Sequence, residues 1–529
     1  MAERQAKAGR PIIGWIAAGL VCLFLLLTLA QIRDPWGDEA MLVTNLAHEG
    51  AAALFRPMAY YDQATPLGHR LLGMVMAGLG GSGGIIGTVL ALRLLTAAAA
   101  ALVAVSVYRT VRMSSTALFA AVAAVIAVAA PMPLRYVTEI KHYEFEAASA
   151  ALLMLAAAAL ARDAAGRREI LFYLAAALFA CLFSFTAPIL LAVSAAAVAL
   201  TVALRRRALL AVLGQPRLLV ALVAGVAIAL LLYLGYSRPV TVHQLSAYPV
   251  AYEVPASFGG RASWMVAGLP KLLHMWLILV APWGDMIRQH SVALSGAFGL
   301  VLIVALALAA RRAPFVGAFT GLLMLAVLAA ILIGVIPITS TRHFLFLQPV
   351  LVVLLVVALA ELLALVGARI RLPQAGVALV AVVIALGYVA LGLSSLRTLK
   401  VQAIAPLLAK ARSESPDAPV WVHSAGQPTA RLVRPDGQRF IGKLDPRSVP
   451  QGWHVAAGEW TSPHDQTVRT DYYRQTAESF RPYPELWMVF VDRSDEEREP
   501  MLNAVTAAYG RCTQSGRDIG ATLYRCTRR

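Results

Sequence analysis

The stretch PIIGWIAAGLVCLFLLLTLAQI, residues 11–32, is followed at once by RDPWGDEAMLVTNLAHEG, residues 33–50. An apolar helix of about twenty residues is long enough to cross a bilayer. Arg4, Lys7 and Arg10 precede it as they would a signal peptide. Its apolar core is longer than a signal h-region and no small-x-small cleavage site follows, so it reads as an uncleaved anchor. The second stretch sets Asp34, Asp38, Glu39 and Glu49 directly after that span, in a chain with only 29 acidic residues among 529.

The rest of the first 400 residues repeats the first pattern. The chain is 59% hydrophobic and 14% charged, with a mean hydropathy of +0.69. Apolar runs lie near residues 12–32, 86–108, 115–131, 142–161, 169–187, 188–204, 217–236, 291–310, 314–336, 343–366 and 374–397. Each reads as a transmembrane helix. Arg109 and Arg112, Arg162 to Arg168, Arg205 to Arg217, Arg311 and Arg312, and Arg369 and Arg371 fall in alternate loops. The net charge of +17 is therefore a positive-inside signature and not a nucleic-acid-binding face. Two further apolar stretches, PLGHRLLGMVMAGLGG (66–81) and WMVAGLPKLLHMWLILVAPW (264–283), would turn basic loops outward if they crossed. They are expected to lie at or in the outer surface, giving 11 spans, or 13 if both cross. The N-terminus is then cytoplasmic.

From Val401 the composition changes. Residues 401–529 hold 17 Lys/Arg and 15 Asp/Glu, a balanced soluble composition. APVWVHS and PELWMVFVD read as buried strands. SDEEREPMLNAVTAAYG reads as a helix with a Ser494–Glu497 capping box and a Gly510 stop. Cys512 and Cys526 flank a short polar segment and are expected to form a disulfide if the domain is extracytoplasmic. The expectation is a mainly α, polytopic membrane domain over 1–400 and a small α/β extracytoplasmic domain over 401–529.

On this topology ten acids of the membrane region face outward, concentrated in the first two outer loops. Carboxylates at a membrane surface are costly unless solvated, paired or used. Asp38 of WGDEA reads either as the cap of the following helix or as a general base, and the two roles are compatible. RYVTEIKHYEFEAA (135–148) places Glu139, Lys141 and Tyr143 at the mouth of a span. That is either an interfacial anchor or a site for an anionic, polar head whose tail lies in lipid. TSTRHFLFLQP (339–349) puts Arg342 and His343 on the same side, where an Arg breaks the positive-inside pattern. YYDQATPLGH (60–69) adds Asp62 and His69. No dense carboxylate or His/Cys set asks for a metal.

The order of these pieces resembles the polyprenyl-phosphate-sugar-dependent glycosyltransferases of the GT-C fold. The similarity is to the bacterial branch containing protein mannosyltransferase-like and lipid A aminoarabinose-transferase-like enzymes. Asp38-Glu39 matches that family's acidic pair after span one, and YYDQATPLGH loosely matches its Y-x-K-P-P-L segment, with Gln63-Ala64-Thr65 where Lys-Pro is usual. Arg93-Leu94 matches an R-L pair, residues 136–143 resemble Y-S-x-E-A-R-x-Y, and Arg342-His343 before Pro349 resembles a late R-Y. The resemblance implies an inner-membrane enzyme with no cofactor required, a divalent metal being left open but unsupported by any ligand set. Its donor is a polyprenyl-phosphate-linked sugar, and its acceptor is a glycan, a membrane lipid or a protein. Asp38 would be the catalytic base. Glu39, Asp62, His69, Glu139, Lys141, Tyr143, Arg342 and His343 would bind substrate. A lipid-linked-sugar transporter, a polysaccharide polymerase or ligase built on the 237–262 loop, and a non-enzymatic scaffold are the competing readings.

Overall fold

The computed structural model describes residues 10–30, 34–48, 50–58, 63–162, 166–206, 216–247, 255, 257–281, 291–338, 340–370, 374–398, 403–423, 426–432, 473–474, 477–478, 480–491 and 495–528. The membrane region contains α1 (Arg10–Leu29), α2 (Gly37–His48), α3 (Leu67–Gly80), α4 (Gly84–Arg112), α5 (Ala117–Ala129), α6 (Pro131–Val137), α7 (Tyr143–Leu160), α8 (Arg167–Phe183) and α9 (Ala187–Arg206). It continues with α10 (Pro216–Leu232), a π turn (Tyr233–Ser237), α11 (Arg238–Ala247), α12 (Phe258–Val280), α13 (Val292–Arg312), α14 (Pro314–Leu332), a 3-10 turn (Thr341–Leu347), α15 (Gln348–Ile370) and α16 (Gln374–Thr398). Among the described residues ten helices are long and apolar enough to cross a membrane, or up to 11 when α5 and α6 count as one bent span.

One end of this bundle is tied by arginines. Arg112 donates to Ser115 O (2.7 Å), Arg205 to Ala161 O (2.9 Å) and Arg312 to Ser114 O (2.9 Å). Arg312 also meets Glu361 at 3.2 Å. The ends of α4 and α13 therefore lie together, as do those of α7 and α9, in the pairing that alternate basic loops require.

The two ambiguous apolar stretches keep to the other face. Helix α12 has the length of a span, but Arg261 near its start donates to Ile333 O at the far end of α14 (2.6 Å). Gly268 touches Ile338, Leu273 lies against Gly299 early in α13, and Tyr388 donates to Val280 O. The helix thus slants from the non-basic face into the bundle without reaching the arginine end. Helix α3 also turns back at that face, where a Cβ on Gly80 would stand 2.5 Å from Gly87 O. Only glycine allows so close a meeting of α3 with the start of α4.

Helices α5 and α6 meet at a 59° bend. Pro131 and Pro133 supply no N–H to Ala127 O and Ala129 O, so the helical ladder fails there. Gln348 Nε2 donates instead to Ala127 O (3.3 Å), while a Cβ on Gly392 of α16 would be 2.5 Å from Ala129 O. The bend swings α6 across the top of the bundle and delivers residues 135–143 to the non-basic face. Gly392→Ala should therefore push α16 off the bend and cost about 1–3 kcal/mol. The check is the unfolding midpoint of the detergent-solubilised protein; an unchanged midpoint would show that the helices part freely.

Beyond α16 come α17 (Ala405–Glu414), β1 (Val420–Val422), α18 (Gln427–Leu432), β2 (Glu485–Val491), α19 (Asp495–Tyr509), β3 (Gly510–Asp518) and β4 (Ala521–Arg528). The sheet order is β1-β2-β4-β3, with β1 parallel to β2 and the other pairs antiparallel. Strand β2 is buried on both faces because its side chains alternate between two cores. Trp487, Val489 and Val491 pack with Ile404 and Leu407, and Leu486, Met488 and Phe490 pack with Met501 and Val505 of α19. Helix α19 ends at Gly510, whose φ of 91° suits glycine. Cys512 and Cys526 face each other on β3 and β4 and form a disulfide.

Candidate active site

Helix α2 starts two residues after Pro35. Glu39 in its first turn reaches back to accept from Trp36 N–H (3.1 Å), the return half of a capping box. Asp38 lies inside that first turn, so it does not occupy the position before the helix. Its carboxylate accepts from Arg342 Nη1 at 3.1 Å, with about a fifth of the side chain exposed. Glu39 points the other way, into the bundle. Its Oε1 accepts from Ile140 N–H (2.7 Å) and lies 3.6 Å from the buried guanidinium of Arg93.

The short α6 releases the chain into a tight turn, in which Lys141 N–H donates to Glu139 O (2.9 Å). Lys141 is buried and its ammonium donates to Gln63 Oε1 at 2.8 Å. Burial lowers its pKa, against the opposing pull of Asp38, Glu139 and Glu39. Glu139 pairs with Arg135 at 3.1 Å, and burial still raises its pKa.

Arg342 arrives from the 3-10 turn that precedes Pro349. Besides Asp38 it covers the ring of Tyr143, 5.8 Å from the centroid. Tyr143 meets Tyr136 edge-on at 5.4 Å. The planar guanidinium suits this double use, against a carboxylate and over a ring.

Behind this pair lie three histidines. His69 Nδ1 and Thr65 Oγ1 share a hydrogen bond of 2.7 Å, and the His69 ring is 6.3 Å from that of His142. Phe145 and Phe185 complete the wall. The π turn after α10 presents Tyr236, whose hydroxyl donates to Thr65 O (3.0 Å). A π turn moves side chains off the regular helical faces and is common at functional sites. Burial lowers the pKa of His142 well below the usual value, the Lys141 and Arg342 charges push the same way, and His69 and His343 stand near it. Its Nδ1 is buried with no hydrogen-bond partner among the described residues.

His69 carries a testable consequence. Burial first, and Lys141 second, push its pKa down to about 3. The native ring stays neutral while the unfolded one, near the ordinary 6.5, takes up a proton. Its contribution is fully present above pH 6.5 and falls by about 1.4 kcal/mol per pH unit below it, about 2 kcal/mol by pH 5. His69→Gln should flatten that slope of the unfolding midpoint between pH 7 and 5. An equal slope in wild type and variant would remove His69 as its source.

Of the residues singled out from the sequence, Asp38, Glu39, His69, Glu139, Lys141, Tyr143, Arg342 and His343 are brought to one place at the non-basic face. Asp62 lies outside the described residues. In the 237–262 loop, Arg261 is spent on Ile333 O, and Glu253 lies outside the described residues. Sequence reasoning assigned no role to Gln63 or Glu146, and placed His142 in the 135–148 stretch without a role of its own. Glu146 gathers the turn between α8 and α9, accepting from Phe185 N–H (2.7 Å), Thr186 Oγ1 (2.7 Å) and Ser184 Oγ. The one available signal for it was an acid at the mouth of a span with no cation beside it.

No protein-family model and no curated protein sequence matches the chain. Its fold is similar to that of ArnT from Cupriavidus metallidurans bound to undecaprenyl phosphate, with a TM-score of 0.51 and 17% identity over 97% of this chain and 98% of that one. The apo state of the same protein gives a TM-score of 0.51 at 16% identity, also over 97% of this chain and 98% of that one. An oligosaccharyltransferase from Archaeoglobus fulgidus, tethered to an acceptor peptide containing the NVT sequon, gives a TM-score of 0.51 at 12% identity, over 93% of this chain and 72% of that one. The chain is thus a multi-pass membrane protein with the GT-C fold.

Proposed function

We propose that the protein is a membrane glycosyltransferase that moves a sugar from a polyprenyl-phosphate donor to an acceptor at the outer face of the cytoplasmic membrane. The observation that carries this reading is the meeting of a partly exposed carboxylate, Asp38, with two cations, Arg342 and Lys141, at the non-basic face. The fold likeness to a protein crystallised with undecaprenyl phosphate supports the donor class.

In this reaction Asp38 takes the proton from an acceptor hydroxyl or amine. The freed nucleophile attacks the anomeric carbon, the bond from that carbon to the phosphate oxygen breaks, and polyprenyl phosphate leaves with the electron pair. Attack from the face opposite the phosphate inverts the anomeric centre. Arg342 and Lys141 offset the charge that grows on the departing phosphate. Such a leaving group needs little protonation, so one carboxylate base suffices where a glycosidase uses two acids. Arg342 changes partner in this scheme, leaving Asp38 for the phosphate and so freeing the base when donor is bound.

The test is mass spectrometry of lipid extracts from cells lacking the protein, cells with it restored, and cells carrying Asp38→Asn. A polyprenyl-phosphate sugar accumulating in the first and third would name the donor. No change in any such lipid, with the proteins present, would move the reading to transport or scaffolding.

A further inference from the structure

The two residues that lead into the Asp38 turn are both held by the sheet domain. Asp34 Oδ2 accepts from Ala405 N–H at 2.8 Å, and its carboxylate also meets the N–H of Ile404, so it caps α17. Thr429 of α18, fully buried, donates its hydroxyl to Pro35 O at 2.7 Å. Helix α18 also packs along α2. These partners come from positions 371 and 394 residues away in the chain.

We propose that the sheet domain is a working part of the site: through Asp34 and Thr429 it fixes the entry to α2 and so holds the Asp38 carboxylate opposite Arg342. The inference rests on the transferase reading above and makes Asp34 and Thr429 positioning residues for that reaction.

Helix α2 has 12 residues, too few to be stable without packing partners. Its place is set from outside. On the bundle side Glu39 ties it to Ile140 and Arg93. On the other side the Asp34 and Thr429 bonds and the α18 face hold it. Pro35 has a fixed φ, so the Asp34 anchor and the Pro35 carbonyl held by Thr429 act as one stiff clasp at the residues leading into α2. A misplacement of about 1 Å at a reacting group can cost about 10²-fold in rate.

The full-length chain serves for the test, with variants Thr429→Val, Asp34→Ala and Asp34→Asn, and Cys512→Ser with Cys526→Ser as a control distant from α2. Hydrogen exchange is followed at residues 35–45, where Trp36 N–H is bound to Glu39 and Ala40 N–H to Trp36 O. Transfer is followed with the lipid-linked sugar extracted from cells lacking the protein. Thr429→Val and Asp34→Ala should speed exchange there and lower kcat about 10- to 100-fold with the donor KM within about twofold. Asp34→Asn should restore both, because Asn caps a helix as well as Asp. The cysteine control should lower the unfolding midpoint and leave kcat unchanged. Unchanged kcat in Thr429→Val and Asp34→Ala, or an equal fall in the cysteine control, would overturn the positioning role. Unchanged exchange would overturn the clasp itself. If wild type transfers no sugar, the transferase reading fails, and the exchange data still decide whether the domain holds α2.

Discussion

Asp38→Asn is expected to leave a folded protein that binds the lipid-linked donor and transfers its sugar about 10²- to 10⁴-fold more slowly. Asparagine keeps the shape of aspartate and an oxygen able to accept from Arg342, so the 3.1 Å contact has a neutral substitute. What is lost is the capacity to take a proton. The fall should therefore appear in kcat, with the donor KM close to wild type. Asp38→Ala is the less informative change, because it also removes the group that orients Arg342 before donor arrives. Arg342→Lys separates the two roles: charge is kept, while the fork and the stacking over Tyr143 are lost. Unaltered turnover in Asp38→Asn would remove Asp38 from the base role.

The membrane plan was legible from the chain because apolar length and basic loops report on single segments. Runs such as 86–108 and 343–366 needed no knowledge of their neighbours, and Arg109, Arg205 and Arg312 sort to one face by the same local rule. The lie of 264–283 was harder, since Phe258–Val280 has the length of a span; its course is set by Ile333, Gly299 and Tyr388, which sequence spacing does not bring near it.

The candidate site was partly legible for a similar reason. WGDEA and RYVTEIKHYEFEAA stand out as polar residues at the mouths of spans. Which way each carboxylate faces was not legible. Asp38 and Glu39 are adjacent on the first turn of α2, and nothing local says that one faces Arg342 while the other turns inward to Ile140, 101 positions away. Gln63 looked like the loss of a lysine, yet it receives the Lys141 ammonium from 78 positions away. In this chain the cation and the group that holds it come from two different loops.

The second large effect concerns that inward carboxylate. Glu39→Ala is expected to destabilise the protein by about 3–5 kcal/mol, because the Arg93 charge, 3% exposed, would lose the carboxylate that balances it. A stability of about 5–15 kcal/mol leaves little margin for such a loss. Two further costs overlap with it and do not simply add: the Ile140 and Trp36 N–H groups each lose an acceptor. Glu39→Gln should cost less, since an amide oxygen can still serve one of those N–H groups. The double change Glu39→Leu with Arg93→Leu should recover part of the loss, because apolar replacement of both partners removes the desolvated charges together. Thermal unfolding of the four proteins in one detergent gives the comparison. A Glu39→Ala midpoint matching wild type would mean that Arg93 is balanced by other groups. The expected order, with Ala worst and the double change intermediate, would mark Glu39 as the tie that seats the 138–142 turn on α2, and with it Lys141 beside Asp38.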